Sequence, residues 1–391
     1  VDKTILGQLF LLDPAITFLN HGSFGATPRP VFEAYQRWQL ELEKQPVEFL
    51  GRRSPGLLRA AREKLGEFLH TASDNLVYIT NATTGMNIVA RSLRLGPGDE
   101  ILTTDHEYGA VDRTWQYLAK RCGFQIKVAQ LPLPLRSAAE IVETLKNAIS
   151  KRTRLVSISH ITSPTAVIFP IKEICSLARS SGILSAIDGA HSPGQIDLNL
   201  DDVGTDFYVG NLHKWLCAPK GSAFLYTRPE SQYLIEPLIV SWGWASEIPG
   251  PSSYIDHLEN IGTRDLSAFL AVPDAISFHS LYLHNKARLL CHELATNTQA
   301  QISALTGIQP LHLNDGAWFC QMAASLLPAS LDPNKIKEDL YTKFKIEIPV
   351  FKWKDRIVIR YSYQIYNSME DKDLLLQALA EILSSQEHYR P

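Results

Sequence analysis

From about residue 75 to residue 227, short runs rich in β-branched and aromatic residues alternate with longer amphipathic stretches, and nothing else in the chain restricts its fold as much. "NLVYIT" reads as a strand and "TTGMNIVARSL" as the helix after it. The pattern repeats through "EILTTD" and "VDRTWQYLAKRC", "FQIKVAQL" and "AAEIVETLKNAI", and "RLVSISHI" and "IKEICSLARSSG". The runs "ILSAID", "DFYVG" and "SAFLYT" close it. These seven strands with helical crossovers predict an α/β fold on a mostly parallel sheet covered on both faces. Such a sheet binds ligands at the loops beyond its strand C-termini, so the residues just after each apolar run are the ones to search.

Residues 228–266 are irregular and rich in Pro, Gly, Ser and Trp ("SWGWASEIPGPSSY"), which suits a functional loop. After them "LSAFLAVPDAISFHSLYLHNKARLLCHELATNTQAQISAL" reads as one long or kinked helical stretch. "WFCQMAASL", "KIEIPVFKW" and "RIVIRYSY" read as strands of a smaller α/β domain, with a last helix over "DKDLLLQALAEIL". Composition serves to exclude. The 38 basic and 41 acidic residues leave a net charge of −3 without a block of either sign, which recommends neither nucleic acid nor a membrane surface and leaves a small molecule as the expected partner. Five cysteines without a CxxC argue against a disulfide framework or structural zinc, so no metal is expected and reduced thiols in a cytosol fit best. The apolar cluster Leu9–Leu12 is too short to span a bilayer and has no basic leader, and a cytoplasmic location is the expectation.

Three loop positions carry chemistry. In "NATTGMN", residues 81–87, small residues and threonines open a helix, where backbone N–H groups and the helix dipole suit a phosphate; helix capping by Thr83 or Thr84 is the other reading. Asp188 ends the strand "ILSAID", either as a cap for the next turn or as a charge aimed into the ligand crevice. Lys214 follows the next strand in "GNLHKWLCAPKG", flanked by His213, Trp215 and Pro219, neighbours that desolvate an ammonium and suit an imine-forming amine. Lys220 in the same stretch reads as a surface lysine. Phosphate-ready helix end, carboxylate and lysine in that order are the parts of a pyridoxal phosphate site, whereas a dinucleotide site would need a GxGxxG that is absent.

With "FLNHGSFGATPRPV", "TNATTGMN", "DHEYGA", "DGAHSPG", "GNLHKWLCAPKG", "GTRD" and "RIVIRYSYQIYN" in this order, the chain resembles the class V aminotransferase family of fold-type I pyridoxal phosphate enzymes, in its isopenicillin N epimerase-like branch. The resemblance implies an N-terminal segment, 1–30, packing on the active site, a large cofactor-binding domain, 31–266, and a small C-terminal domain, 267–391. It further implies that Lys214 forms the Schiff base and Asp188 meets the pyridine nitrogen. Ala82, Thr83 and Thr84 would cradle the phosphate, assisted by Asn211 and His213, with His106 stacking on the ring and His191 near the ring oxygen. Thr263 would reach the phosphate of a neighbouring subunit in a homodimer, Arg360 would bind the substrate α-carboxylate, and Asn20 and His21 would line the substrate side. Trp242 and Trp244 are candidates for the pocket or for an interface or core, and Arg29, Arg52 and Arg53 for a substrate's distal carboxylate.

The family includes transaminases, desulfurases, C–S lyases, kynureninases and epimerases, so the expected activity is chemistry at Cα of an amino acid, epimerase-like, with C–S lyase or transaminase as alternatives. Persulfide transfer would need a mobile loop cysteine. Cys320 sits in the strand-like "AWFCQMAA" and Cys217 reads as a small buried residue, which argues against a desulfurase. A catalytically silent ligand-binding regulator is the non-enzyme alternative, and the presence of both Lys214 and Asp188 speaks against it.

Overall fold

The computed structural model describes residues 6–283, 285–313 and 318–387. All seven runs of the alternating region form strands: β1 (Leu76–Ile79), β2 (Glu100–Thr104), β3 (Gln125–Ala129), β4 (Thr153–Ser159), β5 (Leu184–Asp188), β6 (Phe207–Asn211) and β7 (Ala223–Thr227). They lie in the order β1-β7-β6-β5-β4-β2-β3. Only β7 runs against its neighbours, pairing antiparallel with both β1 and β6. Alternate side chains enter opposite cores. Leu76 and Tyr78 of β1 pack on one face and Val77 and Ile79 on the other, and Tyr208 and Val209 of β6 divide in the same way. The edge strand β3 is the least buried, with Gln125 exposed.

Helices cover both faces. Among them α1 (Arg29–Lys44) and α2 (Ser54–Leu69) precede the sheet, and α3 (Ala82–Ser92) and α4 (Gly109–Cys122) follow β1 and β2. The helical stretch after residue 266 is three pieces: a turn at Ser267–Leu270, then α5 (Val272–Tyr282) and α6 (Asn285–Thr306). Pro273 stands in the first turn of α5, where its missing N–H costs nothing.

The second sheet has the order β9-β10-β8, all antiparallel, from β8 (Met322–Leu327), β9 (Val350–Trp353) and β10 (Arg356–Ser362). The single strand expected over "KIEIPVFKW" is divided: Ile346–Glu347 pairs with Thr17–Phe18 and β9 begins only after Pro349, which has no N–H to give a ladder. Cys320 lies two residues before β8 rather than inside it. The last helix spans Met369–Glu387. Among the described residues no helix is long and apolar enough to cross a membrane, and no three His, Cys, Asp or Glu side chains cluster as metal ligands.

Candidate functional site

The antiparallel turn of β7 decides where Lys214 sits. Residues 212–222 are not a crossover but a loop folded straight back, closed by Leu212 N–H to Ser222 O (3.1 Å) and Ala218 N–H to Leu212 O (3.1 Å). Lys214 projects from it into a cavity of about 320 Å³ lined by Ser23, Thr83, Tyr108, Asp188, His191 and Asn211, among others. Its Nζ lies 3.2 Å from His191 Nε2. Burial, reinforced by the Arg360 charge and opposed by Asp188, pulls the ammonium from 10.5 to about 7, so near neutrality half of the lysine is a free amine.

The β1–α3 turn brings the helix N-terminus to the same cavity. Asn81 caps α3 by accepting from Thr84 N–H (2.8 Å), and Asn211 Oδ1 reaches across from β6 to accept from Ala82 N–H (2.9 Å). Ala82, Thr83 and His213 line the cavity; Thr84 stands one position back, its hydroxyl on Asn81 Oδ1 (3.1 Å). Burial lowers His213 to about 4 while Ser222 O engages its Nδ1 at 3.1 Å, so the ring is neutral. Asp188 is 4% exposed and accepts from Ala190 N–H (3.0 Å); burial raises its pKa against that bond and the Lys214 charge.

Arg360, on the central strand of the small sheet, stands behind the cavity wall and holds two of its lining residues, Ser163 and Ser23. Its Nη1 donates to Ser163 O (2.5 Å) and Ser163 Oγ (3.1 Å) and its Nη2 to Ser23 Oγ (3.1 Å), while buried Nε has no partner. Burial lowers this guanidinium to about 10, still a cation at neutral pH.

Three expected positions lie outside the cavity lining. Asn20 and His21 do not line the cavity. Asn20 Nδ2 donates to Glu347 Oε1 (2.9 Å), and His21 is fully buried between Tyr366 OH (2.9 Å) and Lys214 O (3.0 Å), so their hydrogen-bonding groups are used in holding the N-terminal segment. His106 has no exposed surface: it packs edge-on against Trp353 at 4.7 Å, with Nδ1 on Thr165 Oγ1 (2.8 Å). The aromatic side chain of that loop that does line the cavity is Tyr108.

Thr263 is exposed beside Arg62 and Trp242, away from Lys214 within one chain. Trp242 and Trp244 are 88% and 57% exposed, which excludes a core role within the chain, and Arg29, Arg52 and Arg53 are exposed away from the cavity. Sequence reasoning missed Ser23, Ser163 and Tyr108. Tyr108 had a signal, an aromatic two residues from the chosen histidine; the serines had none.

A buried carboxylate with one backbone donor has room for a further proton-bearing partner, and a lysine near pKa 7 suits an electrophile. A helix N-terminus at the end of the same cavity adds an anion site. This donor set fits a phosphorylated pyridine aldehyde.

Comparison with known proteins gives three findings. The family model "Aminotransferase class-V" matches residues 22–327. Isopenicillin N epimerase of Amycolatopsis lactamdurans is 36% identical over 95% of this chain and 96% of its own, and a probable chloroplastic L-cysteine desulfhydrase of Arabidopsis thaliana is 31% identical over 94% and 83%. Among solved structures, a variant of C-DES with glycine covalently linked to its pyridoxal phosphate cofactor shares the fold at 22% identity and TM-score 0.79, over 93% of this chain and 96% of that one.

Proposed function

The chain belongs to the class V aminotransferase family, and from that premise we propose a pyridoxal phosphate enzyme that moves the Cα proton of an amino-acid substrate, with epimerisation as the reaction. The observation that carries the proposal is Lys214: an amine near pKa 7, 3.2 Å from His191, in one cavity with buried Asp188 and the N-terminus of α3. The cofactor, when bound, supplies the electron sink that acidifies Cα.

The chain's own residues do the rest. Lys214 Nζ would hold the cofactor through its aldehyde carbon and, once freed by the substrate amine, would take the proton from Cα, with inversion requiring a proton returned to the opposite face. Asp188 would hold the ring nitrogen of the cofactor and favour its protonated form. Ala82, Thr83 and Thr84 would hold the phosphate with Asn211 and His213, Tyr108 would take the place by the ring expected of His106, and His191 would offer its imidazole beside Lys214. Arg360 takes the substrate carboxylate through Nε and one Nη, the guanidinium edge that still has an unpaired N–H. Thr263 serves the phosphate of a second subunit, and the exposed Trp242–Trp244 segment fits the interface of such a homodimer.

Epimerisation is favoured over C–S cleavage because the epimerase relative matches at 36% identity and the desulfhydrase at 31%. The test has two stages. Purified protein should carry a visible band that borohydride bleaches and fixes to Lys214; the same fixation in Lys214→Ala would refute the assignment. Amino acids incubated in deuterated water should then exchange and invert at Cα, whereas sulfide or keto acid without inversion would give the chain to a lyase or a transaminase.

A further inference from the structure

His191 is fully buried and has contacts on both ring nitrogens. Lys214 Nζ stands 3.2 Å from Nε2, and the indole Nε1 of Trp215 stands 3.4 Å from Nδ1. An indole N–H can only donate. A neutral imidazole that accepts at Nδ1 must carry its proton on Nε2. His191 is neutral because burial, with the charges of Lys214, Arg360 and His213 acting in the same direction, lowers its pKa well below the usual value. The nitrogen facing Lys214 is therefore an N–H, and it makes a sound hydrogen bond only to an amine with a free lone pair.

The indole has no freedom to turn away. Trp215 has no exposed surface, packs against His21 at 5.0 Å, and lies under Gly194, where a Cβ would collide with the Trp215 backbone. The turn carrying His191 is pinned as well: Gln195 Nε2 donates to His191 O (2.7 Å) and Gln195 Oε1 accepts from Met322 N–H (3.3 Å).

From this geometry we infer that Trp215 is a positioning residue that locks His191 as the Nε2–H tautomer, so that His191 presents only a donor to the cavity and holds Lys214 as the free amine. The inference rests on the reading of Lys214 as the cofactor-holding lysine only for its consequence; the tautomer belongs to the protein alone. After Lys214 is engaged, the same N–H is what His191 can offer to an acceptor beside it. The other charged groups facing Lys214 are Arg360, which also favours the amine, and Asp188, which favours the ammonium.

The test is a two-bond proton–nitrogen correlation spectrum of histidine-labelled, cofactor-free protein, with the His191 signals identified by their loss in His191→Gln. The Nε2–H pattern is expected in wild type; an Nδ1–H pattern or a doubly protonated ring there overturns the inference outright, whatever the cofactor does. In Trp215→Phe the pattern should become mixed, and the pH midpoint for cofactor attachment should rise by about one unit, which makes attachment at pH 6.5 roughly tenfold slower. An unchanged tautomer and midpoint in a folded Trp215→Phe would equally overturn it. If that variant does not fold, the wild-type spectrum still decides. Failure of the cofactor reading is seen separately, as absence of borohydride fixation at Lys214.

Discussion

Gly25 passes so close to His213 that a Cβ on it would lie inside contact distance of the His213 carbonyl oxygen, and its φ of +70° is one that side chains resist. The N-terminal segment thus backs directly onto the peptide that carries Lys214. Gly25→Ala is expected to cost about 1–3 kcal/mol through strain and displacement. The urea midpoint should fall at constant slope, and an unchanged midpoint would mean the two segments are not in contact.

Attachment of pyridoxal phosphate to cofactor-free protein should follow the free-amine fraction of Lys214, whose pKa is about 7. The rate is expected to climb roughly tenfold between pH 6 and pH 8 and then level. A rate still climbing towards pH 10 would describe an ordinary exposed lysine.

Arg360→Ala should lower kcat/KM by roughly 10²–10³-fold, because truncating one member of a buried, hydrogen-bonded charge pair costs about 2–5 kcal/mol. Arg360→Lys keeps the charge but loses the planar fork that Ser23 and Ser163 orient, so it should recover only part of the loss. Equal activity of all three proteins would place the substrate carboxylate elsewhere.

Glu107 tests the pH dependence of stability. Burial raises its pKa from 4.5 to about 8 against donors from Ser159 N–H (2.7 Å), Ser159 Oγ (2.6 Å) and Thr104 Oγ (2.5 Å). Between those values the folded protein holds a proton that the unfolded chain has released, so this stabilisation is complete below about 4.5 and is lost as pH rises through about 8. Glu107→Gln cannot titrate. The stability of the variant relative to wild type should therefore increase from pH 5 to pH 8 and then flatten, as read from denaturation midpoints at each pH; parallel pH profiles would contradict the shift.

The large sheet was legible because strand periodicity is local, and each of β1 to β7 carries its own alternation between two cores. That Asp188 and Lys214 share one cavity could be anticipated for the same reason, since one ends an apolar strand and the other lies three residues beyond the next. The β2–α4 loop was not. Which of His106 and Tyr108 faces the cavity depends on Asp105, whose carboxylate accepts from Leu131 N–H (3.2 Å) and pairs with Lys354, and on Trp353, which covers His106. Trp353 ends β9 and Lys354 opens the turn after it, both far away in the chain. Likewise the role of Asn20 and His21 as fasteners depends on Glu347 and Tyr366.

His21 joins Tyr366, 345 residues further along the chain, to the carbonyl of Lys214, 193 residues along. All seven strands of the large sheet lie before residue 228, so its hydrogen-bonded ladder and the lysine loop are synthesised before Tyr254 and Phe269, which pack on it, and before the small sheet. Arg360 and Tyr366 come later still. A nascent chain therefore holds Lys214 well before it holds Arg360 or Tyr366, the far anchor of its own N-terminal segment.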